Sequence, residues 1–343
     1  MLLVDTLYLT SPGGIVLLKY LQKNLSEKGI NAYYLIDKRI ENNFSQCPTI
    51  EKSFLESSMK NRKQFYLEHK NDFSKILCFS NIPPPIPLIV PVYTFFHNVL
   101  LLQDCSYLPI KSRIFTFLKR QLIFYYKTNS NTWIVQTEFM KQLLIKKMRI
   151  PRKHVEVMPF YCKLNQMISS VSSKKSNSFI YPSTGIGHKN HIVLLKAWEL
   201  LYEAGFNFEL HLTIPETDVK LIQLMTVMKS KGINIQNHGI IEQHELFTLY
   251  QSCEYLVYPS LNESFGLPLI EAIQQNCKVI AADLPYSKET IQPTSNFNPY
   301  RPFSLKNAIL DAVSQKDNEK KSLIISENRI DSFIELLNTP IIL

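Results

Sequence analysis

VYPSLNESFGLPLIEA, residues 257–272, joins a strand, a loop and a helix start. Val257 and Tyr258 end an apolar run, and Pro259-Ser260 turns the chain out of it. Pro268 stands where the first turn of a helix tolerates a residue without an amide hydrogen. The amides of Phe265, Gly266 and Leu267, with Ser264 just before them, therefore gather at a helix N-terminus, where a phosphate's charge is favoured. Glu263 falls in the loop and Glu271 one turn into the helix. Two carboxylates beside a phosphate seat suit sugar hydroxyls, since each can accept bonds from two neighbouring hydroxyls. An acidic helix start would explain either glutamate alone. The whole arrangement points to a ligand that carries both phosphate and sugar.

Outward from this segment, strands alternate with helices along the chain, the mark of an α/β protein. In the second half, strands are expected at 178–181, 208–213, 233–236, 255–258 and 279–281, with helices between them. The first half reads as strands at 2–9, 32–36, 75–79, 88–93 and 132–135. A glycine turn at Gly13-Gly14 leads into a helix over 15–28, and the polar stretch 42–58 reads as a long loop. The Ser- and Lys-rich run KLNQMISSVSSKKSN, 163–177, is the linker candidate. The expected division is 1–165, 166–305, and a C-terminal segment 306–343 that crosses back to the first domain. Two such domains would face each other across a cleft, bounded by the carboxyl ends of both sheets, where open α/β sheets bind ligands.

The 343 residues carry 38 Lys+Arg and 29 Asp+Glu, a net +9. That excess is uneven: residues 1–165 hold 23 cations and 11 acids, or +12, and the remainder 15 and 18, or −3. A basic half beside a mildly acidic one predicts that only the first meets an anionic partner. The first lysine is Lys19, so a basic export leader is not expected at the start. The apolar stretch 82–102 is interrupted by five prolines, His97 and Asn98, and does not read as a spanning helix. Six scattered cysteines form no C-x-x-C pair, which argues against a zinc or disulfide framework and for a reducing, cytoplasmic setting.

The run from Asn237 to Ile291, NHGIIEQHELFTLYQSCEYLVYPSLNESFGLPLIEAIQQNCKVIAADLPYSKETI, resembles the Glu-x7-Glu region of retaining glycosyltransferases with the GT-B fold, above all glycosyltransferase family 4. The likeness includes Gly239, Leu249, Tyr250 and Glu289, and an ordered run of this kind is far more specific than a bare Glu-x7-Glu. Upstream, FIYPSTGIGHKNHIVLLKAWELL, 179–201, resembles the same family's strand, loop and Lys-Asn helix start. By that resemblance Lys189 holds the diphosphate of a nucleotide-sugar donor, a task that suits a compact ammonium. The family's arginine five residues earlier is replaced here by Ser183 or Thr184, and a protonated His188 is the candidate substitute. Gly266 and Leu267 would offer amides to phosphate and sugar, Glu263 would meet the sugar hydroxyls and Glu271 the ribose.

In the first half, Gly13-Gly14 matches the family's glycine turn near the donor phosphate. YTFFHN, 93–98, resembles the segment whose histidine lies beside the transferred sugar, which makes His97 the candidate. WIVQTEFMKQLL, 133–144, and VEVMPFY, 155–161, resemble the last strands of the acceptor-side domain. The basic, aromatic stretch KSRIFTFLKRQLIFYYK, 111–127, has two readings side by side: a core helix with solvated cations, or an interfacial helix on an anionic membrane surface.

The resemblance thus implies an α/β, GT-B enzyme, two doubly wound Rossmann-like domains, that transfers a sugar from a nucleotide-diphosphate donor to an acceptor hydroxyl with retention. Its acceptor would be a lipid-linked glycan of bacterial surface polysaccharide, lipopolysaccharide O-antigen or capsule. No metal cofactor is implied, and no nucleic-acid partner, since no nucleic-acid motif is present. A non-catalytic nucleotide-sugar-binding protein of the same fold, or an enzyme with a soluble acceptor, is the alternative.

Overall fold

The computed structural model describes residues 1–45, 51–103, 110–164, 174–314 and 321–339, and divides into two compact units, Met1–Cys162 with Glu327–Leu343, and Lys163–Ser326. In the first unit the described elements run β1 (Leu2–Asp5), α1 (Pro12–Glu27), β2 (Ala32–Asp37), β3 (Glu51–Leu55), α2 (Met59–His69), β4 (Lys75–Cys78), β5 (Val92–Phe95), α3 (Ile110–Tyr126), β6 (Thr132–Val135), α4 (Glu138–Met148) and β7 (Val155–Val157). The strands form one parallel sheet of order β3-β2-β1-β4-β5-β6-β7. Strands covered on both faces read as unbroken apolar runs, and β1 and β4 are buried at every position.

In the second unit the elements run β8 (Lys175–Tyr181), α5 (His191–Glu203), β9 (Glu209–Leu212), α6 (Val219–Ser230), β10 (Ile235–Asn237), α7 (Gln243–Ser252), β11 (Cys253–Tyr258), α8 (Leu267–Gln274), β12 (Lys278–Ala282), α9 (Pro285–Thr290), β13 (Ile291–Gln292), β14 (Ser295–Phe297), α10 (Pro302–Ser314) and β15 (Leu323–Ile324). Its main sheet has the order β10-β9-β8-β11-β12-β14, again all parallel. Both sheets are therefore doubly wound, and each reverses its direction of winding at one place, between β1 and β4 in the first and between β8 and β11 in the second. Ligand sites of open α/β sheets lie at such a reversal, outside the carboxyl ends of the strands.

Four expectations are corrected. The stretch 42–58 is not one loop, because β3 extends the sheet by pairing with β2 from Tyr33↔Glu51 to Asp37↔Leu55. As an edge strand with only partial burial, it can carry Glu51 and Lys52 and so lacks the apolar signature. The fifth strand starts at Val92 rather than Leu88, after Pro91, the last of a proline series that withholds ladder donors. Gly13 and Gly14 do not make a turn but lie in the first turn of α1. Finally, the return to the first unit begins at Glu327 rather than 306. The buried stripe Leu305, Ala308, Ile309 and Ala312 holds α10 in the second unit against α5 and β14. From Glu327 onward the chain joins the first unit through α11 (Ile330–Asn338), whose Phe333 stacks on Phe160 at 5.2 Å while Lys75 caps the Leu337 carbonyl at 2.8 Å. The expected linker 163–177 lies partly outside the described residues.

Candidate functional site

At the winding reversal of the second unit, the loops that leave β8 and β11 are tied to each other. The loop after β8 ends in a short 3-10 turn, Gly187–Lys189, followed by Asn190 in the left-handed region (φ 60°). Asparagine tolerates that conformation better than most residues, and here its Nδ2 donates to the carbonyls of Pro259 (3.1 Å) and Pro299 (2.7 Å). Leu261 N donates to the His188 carbonyl at 2.8 Å, and Tyr181 OH to that of Lys189 at 2.9 Å. The second loop is anchored from beneath, where Tyr286 OH donates to the Ser260 carbonyl and Thr290 Oγ1 to that of Phe265. Side chains on both loops are thus held at fixed places before any ligand arrives.

Those fixtures bring Lys189 and Glu263 into contact. Glu263 Oε1 accepts from Lys189 Nζ at 2.6 Å, from Ser260 Oγ at 2.7 Å and from Tyr258 OH at 2.9 Å. The two charged side chains are only 20% and 15% exposed, so water screens the pair weakly. Burial by itself would raise the Glu263 pKa, but Lys189 and the Ser260 hydroxyl outweigh it and hold the carboxyl below its ordinary range. Oε2 has no bond of its own among the described residues. The site therefore offers an ionised carboxylate with one free oxygen, next to an ammonium.

Gly266 caps α8 with φ 87°, and an added Cβ would come 2.9 Å from Leu269 Cδ1. Only glycine fits there without strain. Phe265 is itself core, 1% exposed, so only its backbone can face a ligand. Glu271 follows inside α8. Burial lifts its carboxyl to about 7, the single side-chain bond from Tyr250 OH (3.4 Å) offsetting this only in part. A carboxyl whose folded pKa is raised this way costs stability as pH rises from the ordinary 4.5 through 7, and the cost is complete above that. Glu271→Gln is therefore expected to stabilise the protein by about 3 kcal/mol at pH 8.5 and by almost nothing at pH 4.5. Urea denaturation at the two pH values measures it, and an equal gain at both would place Glu271 in ordinary solvation.

His188 is corrected. Its ring is 6% exposed, and burial, reinforced by Lys189, lowers its pKa to about 4. At neutral pH it is uncharged and supplies no second cation. It serves the site instead through its carbonyl, the acceptor for Leu261 N and, at 3.4 Å, for Ser260 Oγ.

The first unit brings His97 and Gly14 together at its own sheet's carboxyl end. A Cβ on Gly14 would lie 3.5 Å from His97 Nε2, and 2.5 Å from Leu9 Cδ1. The glycine thus permits close packing where a turn was expected. His97 is fixed by its backbone amide, which donates to Asn81 Oδ1 at 2.7 Å, and its ring lies 5.4 Å from that of Phe95. Burial holds it neutral, with a pKa of about 4, and Nδ1 has no hydrogen-bond partner among the described residues. Gly13 is exposed.

Several supporting residues went unrecognised in the sequence. Ser260 and Tyr258 stand in the quoted segment, but nothing in their spacing marks them as partners of Glu263. Asn81 and Asn190 were detectable in principle, as asparagines flanking apolar runs where a left-handed residue is needed.

Residues 163–330 match the family described as glycosyl transferases group 1. The O-antigen chain mannosyltransferase RfbU of Salmonella typhimurium is 28% identical over 166 residues, 46% of this chain and 46% of RfbU. The chain spans less than half the length of the curated relatives it matches. Among solved structures, WaaG, a glycosyltransferase involved in lipopolysaccharide biosynthesis, superposes with a TM-score of 0.68 over 99% of this chain and 100% of its own, at 11% identity. HepE of Anabaena, solved with UDP and glucose, superposes with a TM-score of 0.65 over 98% of this chain and 95% of its own, also at 11% identity. At such identities the likeness shows the fold alone, which is GT-B. The match to the group 1 glycosyl transferases thus covers the stretch, residues 163–330, that holds Lys189, Glu263 and Glu271.

Proposed function

We propose that the protein transfers a sugar from a nucleoside-diphosphate sugar to a hydroxyl of a lipid-linked glycan, with retention at the anomeric carbon, on the cytoplasmic side of bacterial surface-polysaccharide assembly. The observation that carries this reading is the Lys189–Glu263 pair at the winding reversal, with the Gly266 cap beside it. In the proposed complex Lys189 turns to the diphosphate, where the amides of Gly266 and Leu267 add partial positive charge. Glu263, freed in part from Lys189, takes sugar hydroxyls on Oε2, and Glu271 takes the ribose. The leaving phosphate, stabilised by Lys189 and the helix N-terminus, accepts the acceptor's proton as the glycosidic bond breaks. Charge is met by these groups, so the proposal needs no metal. From the first unit we propose His97 as a neutral hydrogen-bonding partner of the transferred sugar. Surface-polysaccharide chemistry is supported by the names of the relatives RfbU, an O-antigen chain mannosyltransferase, and CapH, a capsular polysaccharide glycosyltransferase.

Calorimetric titration with a panel of nucleotide sugars, followed by incubation with lipid-linked and soluble glycans and NMR of the product, tests it. Binding, transfer to the lipid-linked acceptor and a product with the donor's anomeric configuration are expected. Binding without transfer or donor hydrolysis would favour a non-catalytic sugar-nucleotide binder, and an inverted product would overturn retention.

A further inference from the structure

One side chain fastens the exit of β4 to the exit of β5. Asn81 lies three residues past β4, in the left-handed region (φ 72°), and is 8% exposed. Its Oδ1 accepts from two successive amides beyond β5, His97 N at 2.7 Å and Asn98 N at 3.0 Å, while its own amide donates to the Phe95 carbonyl at 3.3 Å. Asn98 extends the arrangement, since its Oδ1 accepts from Leu100 N at 3.1 Å. The two strands pair from Ile76↔Val92 to Cys78↔Thr94. Both accepted amides lie past that ladder, so a side-chain oxygen takes the place of a strand partner.

The residue type suits the task. Glycine, asparagine and aspartate are the residues that take a left-handed conformation at low cost, and glycine offers no acceptor. Phe79, two residues before Asn81, adds a second hold. Its ring stacks on Phe95 at 4.8 Å and lies 6.1 Å from the imidazole of His97, which has Phe95 at 5.4 Å. The exit of β4 thus fixes the backbone of His97 through Asn81 and flanks its ring through Phe79. That leaves Nδ1 buried, without a partner among the described residues, and Nε2 on the side of Gly14. Both bonds to Asn81 Oδ1 come from backbone, so this oxygen bears on any chemistry only through where it puts His97.

We propose that Asn81 is the positioning residue of His97: by accepting from His97 N and Asn98 N in a left-handed conformation, it holds the imidazole with Nε2 toward Gly14 for the sugar being transferred. This rests on the role proposed above for His97, and the first readout below needs neither donor nor acceptor.

The test pairs Asn81→Gly, which keeps the left-handed backbone and loses the acceptor, with Asn81→Asp, which keeps both. Histidine-ring NMR of the full chain, with His97 identified by the signal lost in His97→Gln, reads the placement without a ligand. Burial alone holds the wild-type ring at a pKa of about 4. In Asn81→Gly the loosened exit admits water, and the midpoint rises by about one pH unit or more toward its ordinary value. Turnover with the donor chosen by the nucleotide-sugar panel falls about ten- to a hundred-fold in that variant, the scale of an ångström's misplacement. Asn81→Asp stays within about threefold of wild type, and Asn81→Gly costs nothing further in a His97→Ala background. Calorimetric binding of the donor's free nucleoside diphosphate is unchanged in both variants, since Lys189 and Glu263 belong to the second unit. An unmoved His97 midpoint in a folded Asn81→Gly, or an equal loss on top of His97→Ala, overturns the proposal. If Asn81→Gly does not fold, Asn81→Asp decides: turnover as low as that of His97→Ala overturns it. A His97→Ala enzyme as fast as wild type, with the midpoint moved as expected, overturns instead the role given to His97, and the placement by Asn81 stands.

Discussion

Lys189→Ala is expected to lose about ten- to a hundred-fold in turnover at saturating donor while the protein stays folded. A charge-assisted contact that tightens as the leaving phosphate gains charge is worth about 1.5–3 kcal/mol, which sets that range. The structure adds a second signature. Glu263 is held below its ordinary pKa chiefly because Lys189 opposes the effect of burial. With the ammonium gone, burial is left less opposed and the carboxyl's pKa rises, so the acid limb of the pH–rate profile should move to higher pH. The stability sign is the same. A depressed carboxylate contributes stability that is present above its unfolded pKa and lost as pH falls through its folded one, so Lys189→Ala should also unfold at a higher pH on acid titration. Steady-state rates from pH 4 to 9, with circular dichroism over the same range, measure both. Lys189→Arg, which keeps the charge and changes its shape, should keep the acid limb low even where turnover falls. Unchanged turnover and an unmoved limb in Lys189→Ala would remove this residue from the donor site.

What could be read ahead of the structure follows from which interactions are local. Strands β1, β6 and β11 declare themselves because a central parallel strand is apolar on both faces. The loop at 259–266 declares itself because its proline, glycine and glutamates stand in a fixed order within one strand–loop–helix passage. Edge strand β3 does not, because partial exposure admits charge. His188 was readable as a neighbour of Lys189 but not as a neutral one, since the burial that lowers its pKa comes from residues distant in the chain. The helix α3 shows the same limit more sharply. Periodicity separates its apolar and basic faces, yet whether the protein covers the one or the other is decided by Leu100, Leu101 and Gln103, whose carbonyls draw Arg120 inward. That orientation departs from the expected core helix with solvated cations; the outward apolar stripe is what the other expected reading, an interfacial helix, requires. A pattern of side chains defines faces; only tertiary partners assign them.

The same limit hides the residue with the largest expected effect on stability. Nothing in MKNRKQFYLEH, the sequence of α2, separates Arg62 from Lys60 and Lys63, yet Arg62 is 0% exposed. Its guanidinium donates to Asp5 Oδ2 at 2.8 Å, to the Pro83 carbonyl at 2.8 Å and to the Ile82 carbonyl at 2.8 Å. The carbonyls of this proline run meet side-chain donors instead of a strand partner: those of Ile82 and Pro83 meet Arg62, and that of Pro84 meets Asn129 Nδ2 at 2.9 Å. Asp5, at the end of the central strand β1, also accepts from Tyr66 OH at 2.7 Å and Leu7 N at 3.1 Å. Arg62→Met keeps the volume but leaves a buried carboxylate facing no cation and two carbonyls without donors. A loss of about 3–5 kcal/mol is expected, a large share of a typical domain's stability. Arg62→Met/Asp5→Asn removes the stranded charge as well and should recover part of the loss, which makes the pair's coupling measurable. The two tryptophans locate the effect, for Trp133 is buried in the first unit and Trp198 in the second. Urea unfolding followed in Trp198→Phe should show the full loss, because the remaining probe reports the first unit, whereas Trp133→Phe should report a smaller one. A single variant less than 1 kcal/mol destabilised would mean that Asp5 and the proline carbonyls find other partners, and that the buried ion pair is not what holds this end of the sheet.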